Sequence, residues 1–472
     1  ATKSAKTPWI SLGELESAKL DGGARLAALL QERCGSSASR VRNDLAKVVD
    51  DTLADHLLTA CQADIALRDR IKPYVHLLRT DPWGYPLVYP TGAFIVTTGS
   101  DRRETGTHYT PKSLTEAIVA ESLTPVAYVG PADDKPREEW KLKSPPELLD
   151  LKICDPAMGS GAFLVQACRW LSDRLVEAWS QVEAAGKAVS VDGEVLDAAD
   201  GKEPLPRDSE ARMVIARRLI AERCLYGVDI NPLAVELAKL SLWLTTLAKG
   251  RPFGFLDHNL RSGDSLLGVH RLEQLITLSM QPEDARQPRL FGKTIERAVD
   301  EAIALRMRLR EIPIRDIHDV EAMAVLDAEA RAKLETPERI ADVFIGIVLA
   351  ANTQSTALAR LDSLAVEADR VVEGDAQALD TLTSKASSDL AKDAPDDRPR
   401  RPFHWPLEFP EVFRRGSGGF DACIGNPPFS GGRWIGRRFG LAYQEYLKSV
   451  RNSVAGSPDL CVYFFLRTFS LL

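Results

Sequence analysis

The chain has 472 residues, 44% hydrophobic and 27% charged, which allows two to four domains around sizeable cores. No apolar run is long enough to span a bilayer, and seven cysteines without C-x-x-C spacing speak against zinc or disulfide frameworks and for a reduced, cytoplasmic protein. The net charge of −7 argues against a chain coated in nucleic acid, although ten Lys/Arg face only four Asp/Glu between 398 and 451.

Residues 1–95 read as a helical domain, with Leu26, Leu29 and Leu30, then Val48, Leu53, Leu57 and Leu58, at helical spacing. A polar loop at 101–111 precedes a helix for which Ser113 and Glu116 form a capping box. A Pro- and charge-rich connection at 130–146 leads to a buried strand at 148–154. Next come Asp155-Pro-Ala-Met-Gly-Ser-Gly161 and a helix from Phe163 to about Val182. A Gly/Asp-rich insertion precedes a helix at 209–224, a strand at 225–229 and a helix opened by Asn231-Pro232. A short strand ends in Gly263-Asp264-Ser265, closing a segment that begins near residue 96. Residues 271–397 read as a helical, Ala-rich insertion. In 398–472 a strand at 420–424 carries Gly425-Asn-Pro-Pro-Phe429, and a last helix begins near Ser457-Pro-Asp459. Strands alternate with helices, and special residues follow the strand ends. This is the pattern of an α/β doubly wound parallel sheet with ligands at its carboxyl edge.

Gly159 and Gly161 permit a tight turn and close approach of backbone to a ligand. The Lys-Ser/Thr of a phosphate-binding loop is absent, and the spacing departs from G-x-G-x-x-G. Asp229, ending the next strand, is placed to accept from ribose hydroxyls. Asp264 is placed to accept from an adenine amino group. Taken singly, each acid is as readily a turn or helix cap. Several acids around one site suit a cationic sulfonium better than a pyrophosphate.

Asn426-Pro427-Pro428-Phe429 carries the chemistry. The exocyclic amine of a base is a poor nucleophile because its lone pair is delocalised into the ring. Two acceptors gripping its hydrogens redirect that pair and stabilise developing positive charge. Asn426 brings a side-chain carbonyl, and Pro427, with no N–H and a fixed φ, brings a backbone one. Pro428 keeps Pro427 extended. Phe429 offers a face for a flat base, worth about 1–3 kcal/mol.

With these residues in this order, the chain resembles the γ-class N6-adenine DNA methyltransferases. More narrowly, it is similar to the large methylases of type IIG restriction–modification systems and of the BREX and DISARM phage-defence systems. Gly106-Thr-His-Tyr-Thr-Pro111, the Gly turn, Tyr226-Gly-Val-Asp-Ile-Asn-Pro232, Arg261-Ser-Gly-Asp-Ser-Leu266 and the Asn426 loop match that family's motifs. The resemblance implies a Rossmann-like class I methyltransferase sheet flanked by the helical N-terminal domain and interrupted by the helical insertion. The missing C-terminal strands and a target-recognition domain are expected beyond residue 472. It implies S-adenosylmethionine as cofactor, held by Thr107, Tyr109, Thr110, Asp155, Ala157, Gly159, Gly161, Asp229, Ile230 and Asp264. It also implies catalysis by Asn426, Pro427, Pro428 and Phe429 without a metal. Double-stranded DNA is the implied partner, its adenine flipped out of the stack, with other defence-system subunits as further partners and no membrane. Phe429 stands where many relatives have Tyr, a change that loses a hydroxyl and keeps the ring.

Three alternatives stay open. A bifunctional endonuclease–methylase would need a metal site, for which Asp133/Asp134 with Glu139-Trp-Lys141 is the nearest match. A methyltransferase acting on RNA or on protein glutamine would use the same loop. A cofactor-sensing DNA-binding subunit would keep the motifs without turnover. His108, His258 and His404 read as structural or polar-contact residues rather than bases.

Overall fold

The computed structural model describes residues 10–34, 37–81, 83–89, 110–197, 202–247, 252, 254–282, 289–351, 353–395, 398–416, 418–449 and 456–472. Its contacts divide the chain into two units, Ala1–Gly106 and Thr107–Leu472. The first holds helices α1 (Leu12–Leu20), α2 (Gly23–Cys34), α3 (Ala38–Ala46), α4 (Asp51–Ala60) and α5 (Ile65–Ile71). Ser11 and Glu14 cap α1 reciprocally, and Asp50 and Asp64 cap α4 and α5. Leu15, Leu26, Leu30 and Val41 pack with Tyr74 in one core, and Leu57, Cys61, Ile71 and Val75 in another.

The second unit opens with α6 (Lys112–Ala127). Pro111 stands at its N-cap with no side-chain cap, so the capping box expected of Ser113 and Glu116 is not formed. A small antiparallel pair follows, β1 (Tyr128–Val129) with β2 (Lys141–Leu142). Residues 148–150, expected to be extended, instead finish the short helix α7 (Pro145–Asp150). Pro145 at the first turn and a Ser144–Glu147 capping box start that helix early, and its Leu148 and Leu149 are buried. Only Ile153–Asp155 remains as strand β3. Helix α8 (Ala162–Ala184), the pair β4 (Ala188–Val189) and β5 (Val195–Leu196), and helix α9 (Ser209–Arg223) lead to β6 (Leu225–Asp229). Helix α10 (Pro232–Thr245) and β7 (Leu260–Ser262) follow. Helices α11 (Leu272–Thr277), α12 (Gly292–Glu311), α13 (Ile317–Ala350), α14 (Gln354–Val372) and α15 (Ala376–Leu390) occupy the stretch read as helical from sequence. Short helices α16 (Trp405–Glu408) and α17 (Pro410–Phe413) precede β8 (Ala422–Cys423). The chain then runs through α18 (Gly432–Phe439), α19 (Leu441–Ser449) and α20 (Leu460–Phe469). No helix among the described residues is long and apolar enough to cross a membrane.

Strands β7, β6, β3 and β8 lie side by side in that order, all parallel, with Cys154 opposite both Tyr226 and Cys423. Successive side chains alternate between the two faces. Ile153 and Leu225 face Leu164, Leu171 and Trp179 of α8, and Gly227 presses against the same side. A Cβ on Gly227 would fall 2.3 Å from Met158 Sδ and 2.8 Å from Leu164 Cδ1. Cys154, Tyr226 and Val228 face an aromatic layer of Phe403, Trp405, Phe409 and Phe420. Its rings meet edge-on: Tyr226 and Phe409 at 5.0 Å and 77°, Phe403 and Trp405 at 4.8 Å and 74°.

Beneath that layer a buried ionic cluster ties α12 to the sheet. Arg306 Nη1 donates to Glu411 Oε2 at 2.9 Å, and Arg310 Nη2 to Glu411 Oε1 at 3.2 Å and to the Tyr226 hydroxyl. The Tyr226 hydroxyl donates to Glu411 Oε1 at 3.2 Å. Burial works against the Glu411 charge, but Arg306 and Arg310 outweigh it and hold the carboxyl at about 2.

Candidate functional site at the carboxyl edge of the sheet

Four adjacent strand ends bring Asp264, Asp229, the Gly turn after Asp155 and the Asn426 loop to one edge. The chain leaves β3 at Asp155 and turns through Pro156–Gly161 into α8. Gly161 takes φ +82° at the N-cap, a left-handed conformation that favours glycine, with Ala238 Cβ only 3.1 Å from where its own Cβ would stand. At Gly159, φ +55°, a Cβ would meet nothing within 4 Å, so the turn borders open space. The turn is held from three sides. Met158 N donates to Val228 O at 3.0 Å, Gly159 N to Asp229 Oδ2 at 2.9 Å, and Ser265 Oγ to Pro156 O at 2.5 Å.

The three acids differ in what occupies them. Asp155 is buried, accepting from Ala157 N at 3.1 Å. Burial pushes its carboxyl up to about 8, with the Ala157 amide opposing and Asp229 adding repulsion. Asp229 is half-buried, and its second oxygen accepts from Asn231 N at 2.8 Å. Burial raises it too, against the Asn231 and Gly159 amides. Each carboxylate oxygen accepts more than one bond, so both oxygens of Asp229 retain acceptor capacity. Asp264 is buried, and its Oδ1 takes the Tyr443 hydroxyl at 3.0 Å and the amides of Leu266 and Leu267 at 3.0 and 3.2 Å. The turn-cap role left open for Asp264 is thus realised, with Tyr443 as a partner that spacing did not announce. Ile230, next to Asp229, is 61% exposed.

Strand β8 brings the Asn426 loop beside the Gly turn. Ile424 N donates to Cys154 O at 2.8 Å. A Cβ on Gly425 would fall 2.6 Å from Asp155 Oδ1, so the two loops touch. Asn426 Nδ2 donates to Thr110 Oγ1 at 3.3 Å, which turns the amide nitrogen toward buried Thr110 and the carbonyl away from it. Pro427 and Pro428 are half-buried, and Phe429 is 61% exposed. Beyond it, Ser430 N donates to Asp459 Oδ1 at 3.0 Å and Leu460 N donates to Ser430 O at 2.9 Å, fastening the loop to the start of α20. Thr107 and Tyr109 lie outside the described residues, as does His108.

The motif implies a cofactor contact for Thr110, and the structure adds its hold on Asn426. The two are 316 residues apart, and no local pattern links them. Gly425 was noted as part of the loop, but its contact with Asp155 follows only from β3 and β8 being neighbours. His404 sits between Val269 N (3.4 Å to Nδ1) and Asp342 Oδ1 (3.1 Å from Nε2), and His258 is buried against Phe255 with a pKa depressed by burial. In the alternative nuclease motif, Asp133 pairs with exposed Lys135 at 3.5 Å. Among the described residues no group of three or more His, Cys, Asp or Glu could hold a metal ion.

The parallel sheet carries a Gly turn, three acids and an Asn-Pro-Pro-Phe loop at one edge, and the family comparisons place the chain among methylases of the restriction–modification type. Residues 223–472 match the Eco57I restriction-modification methylase family, and residues 133–254 match the DNA-methyltransferase domain of MmeI. The chain belongs to the Eco57I restriction-modification methylase family. It is also similar to a protein of Methanocaldococcus jannaschii described as a type II restriction enzyme and methyltransferase. The two are 23% identical over 390 residues, 69% of this chain and 28% of that relative. The chain therefore spans less than a third of the length of the curated relative it matches.

Proposed function

We propose that this chain forms the core of an S-adenosylmethionine-dependent DNA methyltransferase that modifies N6 of a flipped-out adenine. Its setting would be a restriction–modification or phage-defence system in the cytoplasm. In this reading residues 96–270 and 398–472 form the two parts of a Rossmann-like class I methyltransferase core. Residues 1–95 are a helical domain and residues 271–397 an insertion. The cofactor supplies an electrophilic methyl on a sulfonium.

The residues present fit that cofactor. The space open at Gly159 and the half-buried Asp229 with acceptor capacity would form a cradle for a cation bearing a ribose, with buried Asp155 behind the turn. Ala157, Gly161 and exposed Ile230 complete its walls. Thr110 contributes by holding Asn426, and Thr107 and Tyr109 are assigned with it by their motif. Asp264 would reach an adenine only with the carboxylate capacity left by Tyr443 and its turn.

The observation that carries the proposal is the Asn426–Thr110 contact beside Asp155. With its nitrogen spent on Thr110, the Asn426 amide presents its carbonyl as an acceptor. The Pro427 carbonyl is the second acceptor, and the pair holds the two hydrogens of an exocyclic amine. Held this way, the amine would keep its lone pair available to an electrophilic methyl, and Phe429 would stack on the ring. An amine that gained a methyl would be acidic enough to lose its proton to water, so the reading assigns no histidine base.

Incubation with tritiated cofactor and, separately, DNA, RNA and protein tests this. Label is expected in DNA. Asn426→Ala should abolish transfer and spare cofactor binding, and persistent transfer by that variant would overturn the mechanism.

A further inference from the structure

Helix α18, Gly432-Arg-Trp-Ile-Gly-Arg-Arg-Phe439, begins three residues after Phe429 and is anchored along one face. Ile435 is buried in the core of the helical layer. A Cβ on Gly432 would fall 2.2 Å from Ser457 O, and one on Gly436 would fall 2.5 Å from Gln444 Oε1. Gln444 Nε2 donates to Gly432 O at 2.9 Å. The other face is presented outward. Arg433 and Arg437 are exposed, and Trp434 is 60% exposed with the Arg437 guanidinium 5.1 Å from its ring centroid. Among the described residues neither Arg433 nor Arg437 has an ion pair. From 430 to 449 Arg433, Arg437, Arg438 and Lys448 face one acid, Glu445, which Lys448 already engages.

An apolar partner would match the indole but strand two guanidiniums, whereas a polyanion with flat bases matches both. Arginine reads phosphate by charge and fork geometry, and an indole face reads a base of any identity. We propose that this face of α18 grips duplex DNA around the target base. Arg433 and Arg437 take flanking phosphates, and Trp434 enters the gap the flipped base leaves in the stack. The proposal rests on the DNA reading above and adds to it the residues that open the duplex. Ser430, between the loop and the helix, is tied to Asp459, so Phe429 and Trp434 lie on either side of one anchored point.

The test uses the intact protein and a synthetic duplex carrying the site that wild-type protein modifies. The target adenine is paired with thymine or set opposite an abasic site. Opening the pair costs free energy that the abasic duplex no longer demands. Trp434→Ala should lose roughly tenfold or more in kcat/KM on the paired duplex and recover most of it on the abasic one. Trp434→Phe should stay near wild type on both. Arg433→Gln with Arg437→Gln should lower the slope of log affinity against log salt by about 2. Cofactor affinity, which this exposed face does not touch, serves as the control for folding. Equal losses on the two duplexes, or none on either, would overturn the wedge. An unchanged salt slope would overturn the clamp. If wild-type protein transfers methyl to no DNA at all, the underlying reading fails instead, and this proposal falls with it.

Discussion

Asn426 and Thr110 stand 316 residues apart, yet one 3.3 Å contact between them decides which end of an amide faces the site. Thr110→Ala releases that amide to rotate. Loss of one neutral hydrogen bond is expected to lower kcat roughly 2- to 10-fold with cofactor affinity kept, and Thr110→Ser should restore it. An equal fall in cofactor affinity would assign Thr110 to the cofactor instead. Asp155 makes a second prediction. Its folded pKa, about 8, lies above the ordinary 3.8, so between those values the native chain keeps a proton the unfolded chain has lost. Its contribution to stability is full below 3.8 and drains away as pH rises toward 8, at about 1.4 kcal/mol per pH unit. Asp155→Asn keeps an acceptor for Ala157 and removes the titration. Its unfolding free energy without cofactor should fall less steeply over that range, and an unchanged pH profile would show that the carboxyl is not protonated there.

At the scale of elements, the strand ends were legible because their punctuation is local. Pro232 after an Asn231 cap and the short apolar run Leu225-Tyr226-Gly227-Val228 declare a helix start and a buried strand without reference to the rest of the chain. Residues 148–150 depart from the expected strand because Leu148 and Leu149 suit a buried strand as well as a buried helix. The Ser144–Glu147 box and Pro145 upstream decide between the two. The meeting of β3 with β8 is not announced by the sequence, since Cys154 and Cys423 carry no signal of being neighbours. Gly425 tests that meeting. In Gly425→Ala the new methyl group must displace Asp155 or the loop, at about 1–3 kcal/mol. Methyl transfer should drop by at least tenfold while the helical content by circular dichroism stays. Full activity would mean the two loops are not in contact during turnover.

On the scale of the whole unit from Thr107 to Leu472, the stretch between the two motif groups is fastened to the sheet through charge as well as apolar packing. Glu411 is buried between Arg306 and Arg310 and bonded to Tyr226 of β6, so it joins α12 to the central strands. Glu411→Gln leaves two buried guanidiniums without their carboxylate, and a loss of about 3–5 kcal/mol is expected in denaturant melts near neutral pH. Because the carboxyl is held below its ordinary 4.5, its stabilisation is present above that value and is lost as pH falls toward 2. The gap between variant and native protein should therefore close on acidification. A gap that stays constant would mean packing rather than charge holds the junction. None of this cluster was visible in the sequence, where Arg306, Arg310 and Glu411 look like ordinary surface charges on amphipathic helices.

In the proposed mechanism Asn426 and Pro427 grip the amine beside a methyl-donor cradle at Gly159 and Asp229. Nucleoside analysis of DNA from cells expressing the intact protein, alongside its Asn426→Ala variant, reads that geometry out directly. N6-methyladenine present with the first and missing with the second is the predicted result. Methyl groups on cytosine, or equal N6-methyladenine with both proteins, would contradict it.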